Sequence, residues 1–153
     1  MGCRKPVDKT VFRYILISYR NPLGTYYDQT TNEAHSLPGY HAHVYYSADT
    51  KPVAERLAAA IDSKFNAKIS GFHDGPAGPH PIANLQIIFT TEEFANVVPW
   101  LMLNREGLDI LVHPLTDASV DDHSIYALWL GAPVALKLET LRRSYPRELL
   151  PTG

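Results

Sequence analysis

The chain has 153 residues, a formal net charge of −2, seven histidines and one cysteine. This length suits a single domain with its own core, and the slightly acidic charge argues against a general nucleic-acid binder. No apolar run reaches the length of about 18 residues that spans a membrane, and the N-terminus lacks a signal-peptide core. We therefore predict a cytoplasmic protein without membrane or nucleic-acid partners. Since Cys3 stands alone, any metal site has to use nitrogen and oxygen ligands.

The two ends of the chain carry the weakest patterns. Residues 1–36 are predicted to form an N-terminal arm or loop, with an ambiguous apolar run at 11–20 and a surface histidine, His35. Residues 37–140 form the predicted domain. Residues 141–153 are predicted to be a solvated basic tail.

Between these ends, apolar periodicity predicts alternating strands and helices. The predicted strands lie at 39–46, 68–73, 85–89 and 108–113, and a Pro- and Gly-rich loop at 74–81 follows the second strand. A helix of about fifteen residues follows the first strand and carries Val53, Leu57, Ala60, Ile61 and Phe65. A second helix follows the third strand and carries Phe94, Val97, Val98, Leu101 and Met102. Beyond them, Ile125, Leu128, Trp129 and Leu130 show helical spacing, and 134–138 is a candidate fifth strand.

This order, β-α-β-β-α-β, predicts an α+β fold of the ferredoxin-like type, with helices on one face of the sheet. With strand order 4-1-3-2, we expect the first strand to run parallel to the third and antiparallel to the fourth. The start of the first strand, the start of the third and the end of the fourth would then share one end of the sheet. His41, the approach at 80–84 and His113 occupy these places.

The period of the strands separates two faces. Apolar residues from three strands suit the face under the helices: Ala42, Val44, Tyr46, Leu85, Ile87, Phe89, Leu108, Ile110 and Val112. The other face would hold His41, His43, Tyr45, Asn84, Gln86, Leu111 and His113. Three histidines and two amides are hard to explain as packing alone, so this face is a candidate metal site, with dispersed metal-free histidines as the alternative. The same helix-free face invites burial against a second copy, which predicts a homodimer.

Five linked motifs resemble the Dopa 4,5-dioxygenase family of small aromatic ring-cleaving dioxygenases. They are Gly39-Tyr40-His41-Ala42-His43-Val44-Tyr45, Gly78-Pro79-His80-Pro81, Trp100-Leu101-Met102-Leu103-Asn104-Arg105-Glu106-Gly107-Leu108, Leu111-Val112-His113-Pro114 and Asp122-His123. The resemblance runs from about residue 39 to 138. It implies a ferredoxin-like fold and extradiol cleavage of a catechol such as L-DOPA with O2 and non-haem Fe(II).

That chemistry assigns roles to the histidines. His41, His43 and His113 are the expected metal ligands, and His80 is the expected acid–base residue. Exchanging His43 and His80 between these roles is an open alternative, as is a purely structural loop role for His80. His123 is expected to support catalysis from outside the ligand set or to pair with Asp122 near a helix start.

Substrate contacts are expected from three further residues. Arg105 would bind a substrate carboxylate, or else would simply satisfy the end of a helix. Tyr45 and Gln86 would line the ring pocket. No carboxylate has ligand spacing, because Asp109 lies about 13 Å along the strand from His113, so an all-histidine site is expected.

Three rival functions differ in their chemistry. A 2H-type phosphoesterase needs two His-x-Thr/Ser motifs, which the strand sequences His41-Ala42-His43 and His113-Pro114-Leu115 do not supply. A non-catalytic ferredoxin-like binding or dimerisation module would bind no metal. A metal-dependent hydrolase would bind metal but consume no O2.

Overall fold

The computed structural model describes residues 37–116 and 118–141. The predicted arm at 1–36, with His35, and all but the first residue of the predicted basic tail at 141–153 lie outside these residues. Within them, no helix is long and apolar enough to cross a membrane.

Five strands form one sheet that carries two long helices and one short helix. The strands are β1 (Gly39–Tyr45), β2 (Ala67–His73), β3 (Asn84–Thr90), β4 (Ile110–Pro114) and β5 (Leu128–Leu130). The helices are α1 (Lys51–Lys64), α2 (Phe94–Asn104) and the single-turn α3 (Ser119–Asp122). The sheet order is β2-β3-β1-β4-β5, so the first four strands have the ferredoxin-like order and β5 extends the sheet beside β4.

The expected parallel pairing of the first and third strands is wrong. β1 pairs antiparallel with both β3 and β4. The α1 crossover makes β1 and β2 run the same way, and the following connection reverses β3. Asn84 at the start of β3 therefore lies opposite Tyr45 at the end of β1, at the far end of the sheet from the His41–His113 pair.

The last part of the domain also differs from the prediction. Leu128, Trp129 and Leu130 form an edge strand rather than a helix, and residues 134–138 are not in a strand. A run of three large apolar residues fits both periods over so short a distance. The strand period governs because Leu130 is buried in the core while Trp129 stacks on Tyr45 of the opposite face, with ring centroids 5.8 Å apart.

The predicted division into two faces is confirmed. The core cluster joins sheet residues such as Ala42, Val44 and Ile110 to the inner sides of α1 and α2, represented by Ile61 and Leu101. Thr50 precedes α1 and Pro52 lies in its first turn, where a missing N–H costs little. Both long helices thus cover one face of the sheet, and the histidine side chains of β1 and β4 lie on the other.

Candidate metal centre

In the described part of the chain, five histidines form one buried cluster on the helix-free side of the sheet. They are His41, His43, His80, His113 and His123, with 3, 4, 5, 0 and 5% of their surface exposed. So much buried imidazole is uncommon in a packed core, and each ring nitrogen there needs a hydrogen-bond or metal partner.

The two strands in the middle of the sheet position three of these rings. His41 lies directly opposite His113 in the β1–β4 ladder, and the ring centroids are 5.1 Å apart. His43 follows two residues later on the same face of β1, with its ring 5.4 Å from that of His113. Three imidazoles therefore project from rigid, hydrogen-bonded strands.

A tight turn before β3 presents His80. The backbone N–H and C=O of His80 both bond to Ala77, each at 3.0 Å. Gly78 takes φ 54°, a left-handed conformation that glycine adopts readily, and Pro79 restricts the next position. The carbonyl of Pro79 also accepts a hydrogen bond from the N–H of Lys137 at 2.8 Å. The His80 ring lies 3.9 Å from that of His43, so the loop covers the cluster from the Tyr45 end of β1.

The short α3 helix brings in His123. This residue caps the helix, and its ring lies 4.0 Å from that of His113. Both carboxylate oxygens of Asp122 accept hydrogen bonds from Thr116, which fastens α3 to the end of β4. The two alternatives for His123, support of catalysis or pairing with Asp122, stay predictions.

Oxygen acceptors fix the Nδ1 proton on three of the five rings. His43 Nδ1 donates to Asn84 Oδ1 at 3.1 Å, His113 Nδ1 to the Pro114 carbonyl at 2.8 Å, and His123 Nδ1 to the Ser119 carbonyl at 2.9 Å. The amide of Asn84 is oriented by its own bond to the carbonyl of Ile82. A neutral imidazole with a proton on Nδ1 has a lone pair on Nε2, which is the form that binds a metal.

Two of these lone pairs face each other. His43 Nε2 and His113 Nε2 are 3.3 Å apart, which is hydrogen-bond distance, yet neither atom has a proton in this tautomer. Burial, together with neighbouring histidines, lowers the pKa of His43 and of His113 well below the ordinary value, so neither ring gains that proton at neutral pH. Two nitrogens bound to one ion at about 2.1 Å would be roughly 3.0–3.4 Å apart. The pair therefore fits a shared metal ion.

Two overlapping groups of three could complete such a site. His41, His43 and His113 form one group, and His43, His80 and His123 form the other, with all ligand atoms of a group within 4.8 Å of one another. His43 belongs to both, and because its Nδ1 is bonded to Asn84 it has one nitrogen to offer. A single ion is thus the arrangement that suits the cluster, held by imidazole ligands of the kind that iron, zinc and copper accept.

His80 differs from the other rings in the partner of its Nδ1. That atom lies 2.7 Å from the hydroxyl of Tyr45, which can either donate or accept. Burial raises the pKa of Tyr45, so its hydroxyl stays protonated. Burial also lowers the pKa of His80 to about 3, and nearby histidines add to this effect.

The predicted substrate residues lie in different places. Gln86 is part of the cluster, with its Nε2 3.3 Å from both ring nitrogens of His41. Arg105 follows α2, on the helix side of the sheet, and donates to the carbonyl of Leu108 at 2.9 Å. The backbone N–H of Arg105 bonds to the carbonyl of Leu101 at the end of α2. Both expected roles of the Arg105 side chain stay predictions.

Carboxylates are absent from both groups of candidate ligands in the described part of the chain. Asp109 accepts a hydrogen bond from the N–H of Ala132 at 2.7 Å, away from the cluster. Asp122 is fully buried and engaged with Thr116, and burial raises its pKa to about 6.

An apolar cavity of about 250 Å³ adjoins the cluster at His113. Its lining residues are Leu37, Tyr40, Phe94, Val112, His113, Pro114, Tyr126 and Leu128. It contains one of the five histidines, so it borders the cluster rather than enclosing it.

Sequence reasoning missed the groups that orient the rings. The strand period predicts Asn84 on this face but assigns it no role, and the sequence pattern does not indicate the carbonyls of Pro114 and Ser119 as partners of the histidines. The pairing of Asn84 with Tyr45 in the β1–β3 register places the amide beside His43, and the correct antiparallel register would have revealed it.

Comparison with known proteins identifies the family of the chain. The sequence profile of the Dopa 4,5-dioxygenase family matches residues 40–140. An uncharacterized 21.2 kDa protein from Botryotinia fuckeliana is 34% identical over 116 residues, which cover 68% of this chain and 63% of that protein. The DOPA 4,5-dioxygenase of Amanita muscaria is 44% identical over 66 residues, which cover 43% of this chain and 29% of the enzyme. The chain thus matches less than two thirds of the length of either relative.

A solved structure extends the comparison to the fold. The crystal structure of a candidate dioxygenase from Nostoc punctiforme matches with a TM-score of 0.69 and 47% identity, covering 71% of this chain and 94% of that one. The family match includes all five clustered histidines. The chain therefore belongs to the Dopa 4,5-dioxygenase family of enzymes.

Proposed function

We propose that the chain is an extradiol dioxygenase that cleaves a catechol such as L-DOPA with O2, using one non-haem Fe(II) ion. The observation that carries the proposal is the 3.3 Å approach of two lone-pair nitrogens, His43 Nε2 and His113 Nε2, inside a buried histidine cluster. The A. muscaria relative supports the class of reaction.

In this proposal His41, His43 and His113 hold the ion. They come from two neighbouring strands, and the Nδ1 protons of His43 and His113 are fixed by oxygen acceptors. Fe(II), when bound, supplies the redox centre at which a catechol and O2 react. Three protein ligands leave positions for both, although an all-histidine set departs from the commoner set of two histidines and a carboxylate.

His80 and His123 are then left for proton transfer. Nε2 of His80 would take the proton of a catechol hydroxyl while Nδ1 remains bonded to Tyr45. The same Nε2 would later return a proton to the leaving oxygen. Burial lowers the pKa of His80 to about 3 and that of His123 to about 4, so both rings are neutral at neutral pH. Tyr45 and Gln86 stay candidates for lining the ring pocket.

Metal content and oxygen uptake test the proposal together. Protein loaded anaerobically with Fe(II) should retain about one ion per chain and consume O2 with L-DOPA or a simple carboxylated catechol. His43→Ala removes the member shared by both groups and should abolish binding, whereas His73→Ala, an exposed histidine of β2, should leave it intact.

Single replacements then separate the two groups. Loss of iron in His41→Ala and His113→Ala, with retention in His80→Ala and His123→Ala, would support the assignment. The reverse pattern would move the ligands to the second group. Iron-free protein, or metal binding without O2 uptake, would contradict the proposal and favour a binding module or a hydrolase.

The proposal also includes a homodimer and a cytoplasmic location, which have no further support. The homodimer was expected because a histidine face would be exposed, yet the five histidines are buried within the chain. A dimer would therefore need another surface, and it stays a prediction, as does the cytoplasmic location.

A further inference from the structure

We propose that Tyr45 is a positioning residue whose hydroxyl fixes the orientation of the His80 ring through a 2.7 Å contact with His80 Nδ1. The proposal rests on the proposed acid–base role of His80. It assigns to Tyr45 a function other than contact with the substrate.

The partner of Nδ1 differs between His80 and the three other histidines whose Nδ1 contact is known. His43, His113 and His123 each face an oxygen that only accepts, so each is held as the tautomer with a proton on Nδ1. The Tyr45 hydroxyl can accept from Nδ1–H or donate to a bare Nδ1, so it stays bonded in either tautomer of His80.

Nδ1 of His80 can keep its proton and donate to Tyr45 while Nε2 exchanges a proton, so the hydroxyl serves as a fixed partner of the ring. With Nδ1–H donating to Tyr45, Nε2 is bare and can take a catechol proton, which gives an imidazolium that keeps the same hydrogen bond. When Nε2–H returns that proton to the leaving oxygen, the ring is neutral again and no proton has been lost to Tyr45. The hydroxyl therefore orients the ring throughout without ionising.

The surroundings keep Tyr45 in place. Its side chain is 3% exposed, and its ring is stacked on that of Trp129, with an interplanar angle of 19°. The strand pairing fixes its backbone on both sides, opposite Asn84 and through a 2.9 Å bond from its N–H to the carbonyl of Asp109. His80 is equally constrained by its turn, so the 2.7 Å contact joins two rigid elements.

Tyr45→Phe removes the hydroxyl and keeps the ring. In the iron-loaded chain we expect kcat to fall about 10–100-fold, the usual range for an orienting partner, while KM and iron content stay close to those of the parent. Tyr46→Phe is the matched control. It removes a neighbouring hydroxyl on the other face, bonded to Asp74 and to the carbonyl of His73, and should leave kcat unchanged.

A double-variant cycle shows whether Tyr45 acts through His80. If it does, adding Tyr45→Phe to His80→Ala should cause no further loss of kcat. Independent, multiplying losses would mean that Tyr45 acts on the substrate itself and would overturn the proposal. Loss of iron in Tyr45→Phe would also overturn it, because Tyr45 would then support a metal ligand.

A spectroscopic measurement separates this proposal from the proposed function. In the metal-free chain labelled with ¹⁵N-histidine, the His80 Nδ1 signal, identified by its absence in His80→Ala, should shift in Tyr45→Phe and stay in place in Tyr46→Phe. An unchanged signal in Tyr45→Phe would refute the contact. The ¹⁵N measurement tests the contact even if the parent consumes no O2. Absence of O2 uptake would contradict the dioxygenase proposal but not the contact between Tyr45 and His80.

Discussion

Asn84 illustrates how one side chain can determine what a histidine does. It lies at the start of β3, fully buried, and its side-chain oxygen accepts the Nδ1 proton of His43. This contact places the lone pair of His43 on Nε2, the atom that faces His113. Groups that orient ligands in this way commonly change metal affinity by 10–100-fold when they are lost.

We expect Asn84→Leu to weaken metal binding by about 10–100-fold, because His43 could then change tautomer or rotate. The variant should also lose about 1–3 kcal/mol of unfolding free energy, since a buried N–H is left without an acceptor. Metal titration and urea unfolding measure the two effects. Asn96→Leu, at an exposed position of α2, is the matched control and should change neither by a comparable amount. Parental metal affinity in Asn84→Leu would show that the amide does not orient His43.

Among the elements, the turn from Ala77 to His80 depends on a single backbone conformation. Gly78 has φ 54°, and no atom lies within 4 Å of the position that a Cβ would occupy. Any cost of a side chain there therefore comes from the left-handed backbone and not from collision. Alanine pays roughly 1–2 kcal/mol in this region.

We expect Gly78→Ala to lower the free energy of unfolding by about 1–2 kcal/mol and to reduce turnover through misplacement of His80. Gly75→Ala, in the same loop, also meets no atom within 4 Å but lies outside the left-handed region. It should be neutral or slightly stabilising, because alanine restricts the unfolded chain. Urea unfolding of both variants checks the contrast, and equal stability would mean that the turn tolerates a side chain at 78.

The elements also show what the sequence could predict. The alternation in β1 and β4 predicted that His41, His43 and His113 share a face, because a strand has a fixed period and both strands are central. The place of His123 was not predictable in this way, since a one-turn helix has no periodic pattern. The prediction of a helix at Leu128 to Leu130 is wrong because three residues fit either period. The predicted place of His80 is at the wrong end of the sheet, because the prediction assumes parallel first and third strands whereas β1 and β3 are antiparallel.

Across the whole domain, the cluster concentrates buried groups that can gain or lose protons. Four histidines, His43, His80, His113 and His123, have lowered pKa values, chiefly through burial. Asp122 is the one fully buried carboxylate among the described residues, and its pKa is raised to about 6. These groups act on stability in opposite directions as the pH changes.

Whether each group stabilises the fold more at high or at low pH depends on how many protons the folded and unfolded chains bind. His80 and His123 have folded pKa values of about 3 and 4, against 6.5 when unfolded, so below pH 6.5 the unfolded chain binds more protons. Their contribution to stability is complete above pH 6.5 and is lost as the pH falls toward 4 and 3. Asp122, with 3.8 when unfolded and about 6 when folded, contributes below pH 3.8 and loses that contribution as the pH rises through 6. Four histidines outweigh one carboxylate.

We therefore expect the metal-free chain to lose at least about 1.4 kcal/mol of unfolding free energy per pH unit between pH 6 and 5, the equivalent of one net proton. Urea unfolding at a series of pH values measures this slope. His80→Ala should reduce it by about one proton, whereas His73→Ala, at an exposed position, should leave it unchanged. Stability that stays constant or rises on acidification would mean that the cluster is not neutral in the folded protein, and the lone-pair argument for a metal between His43 and His113 would fail with it.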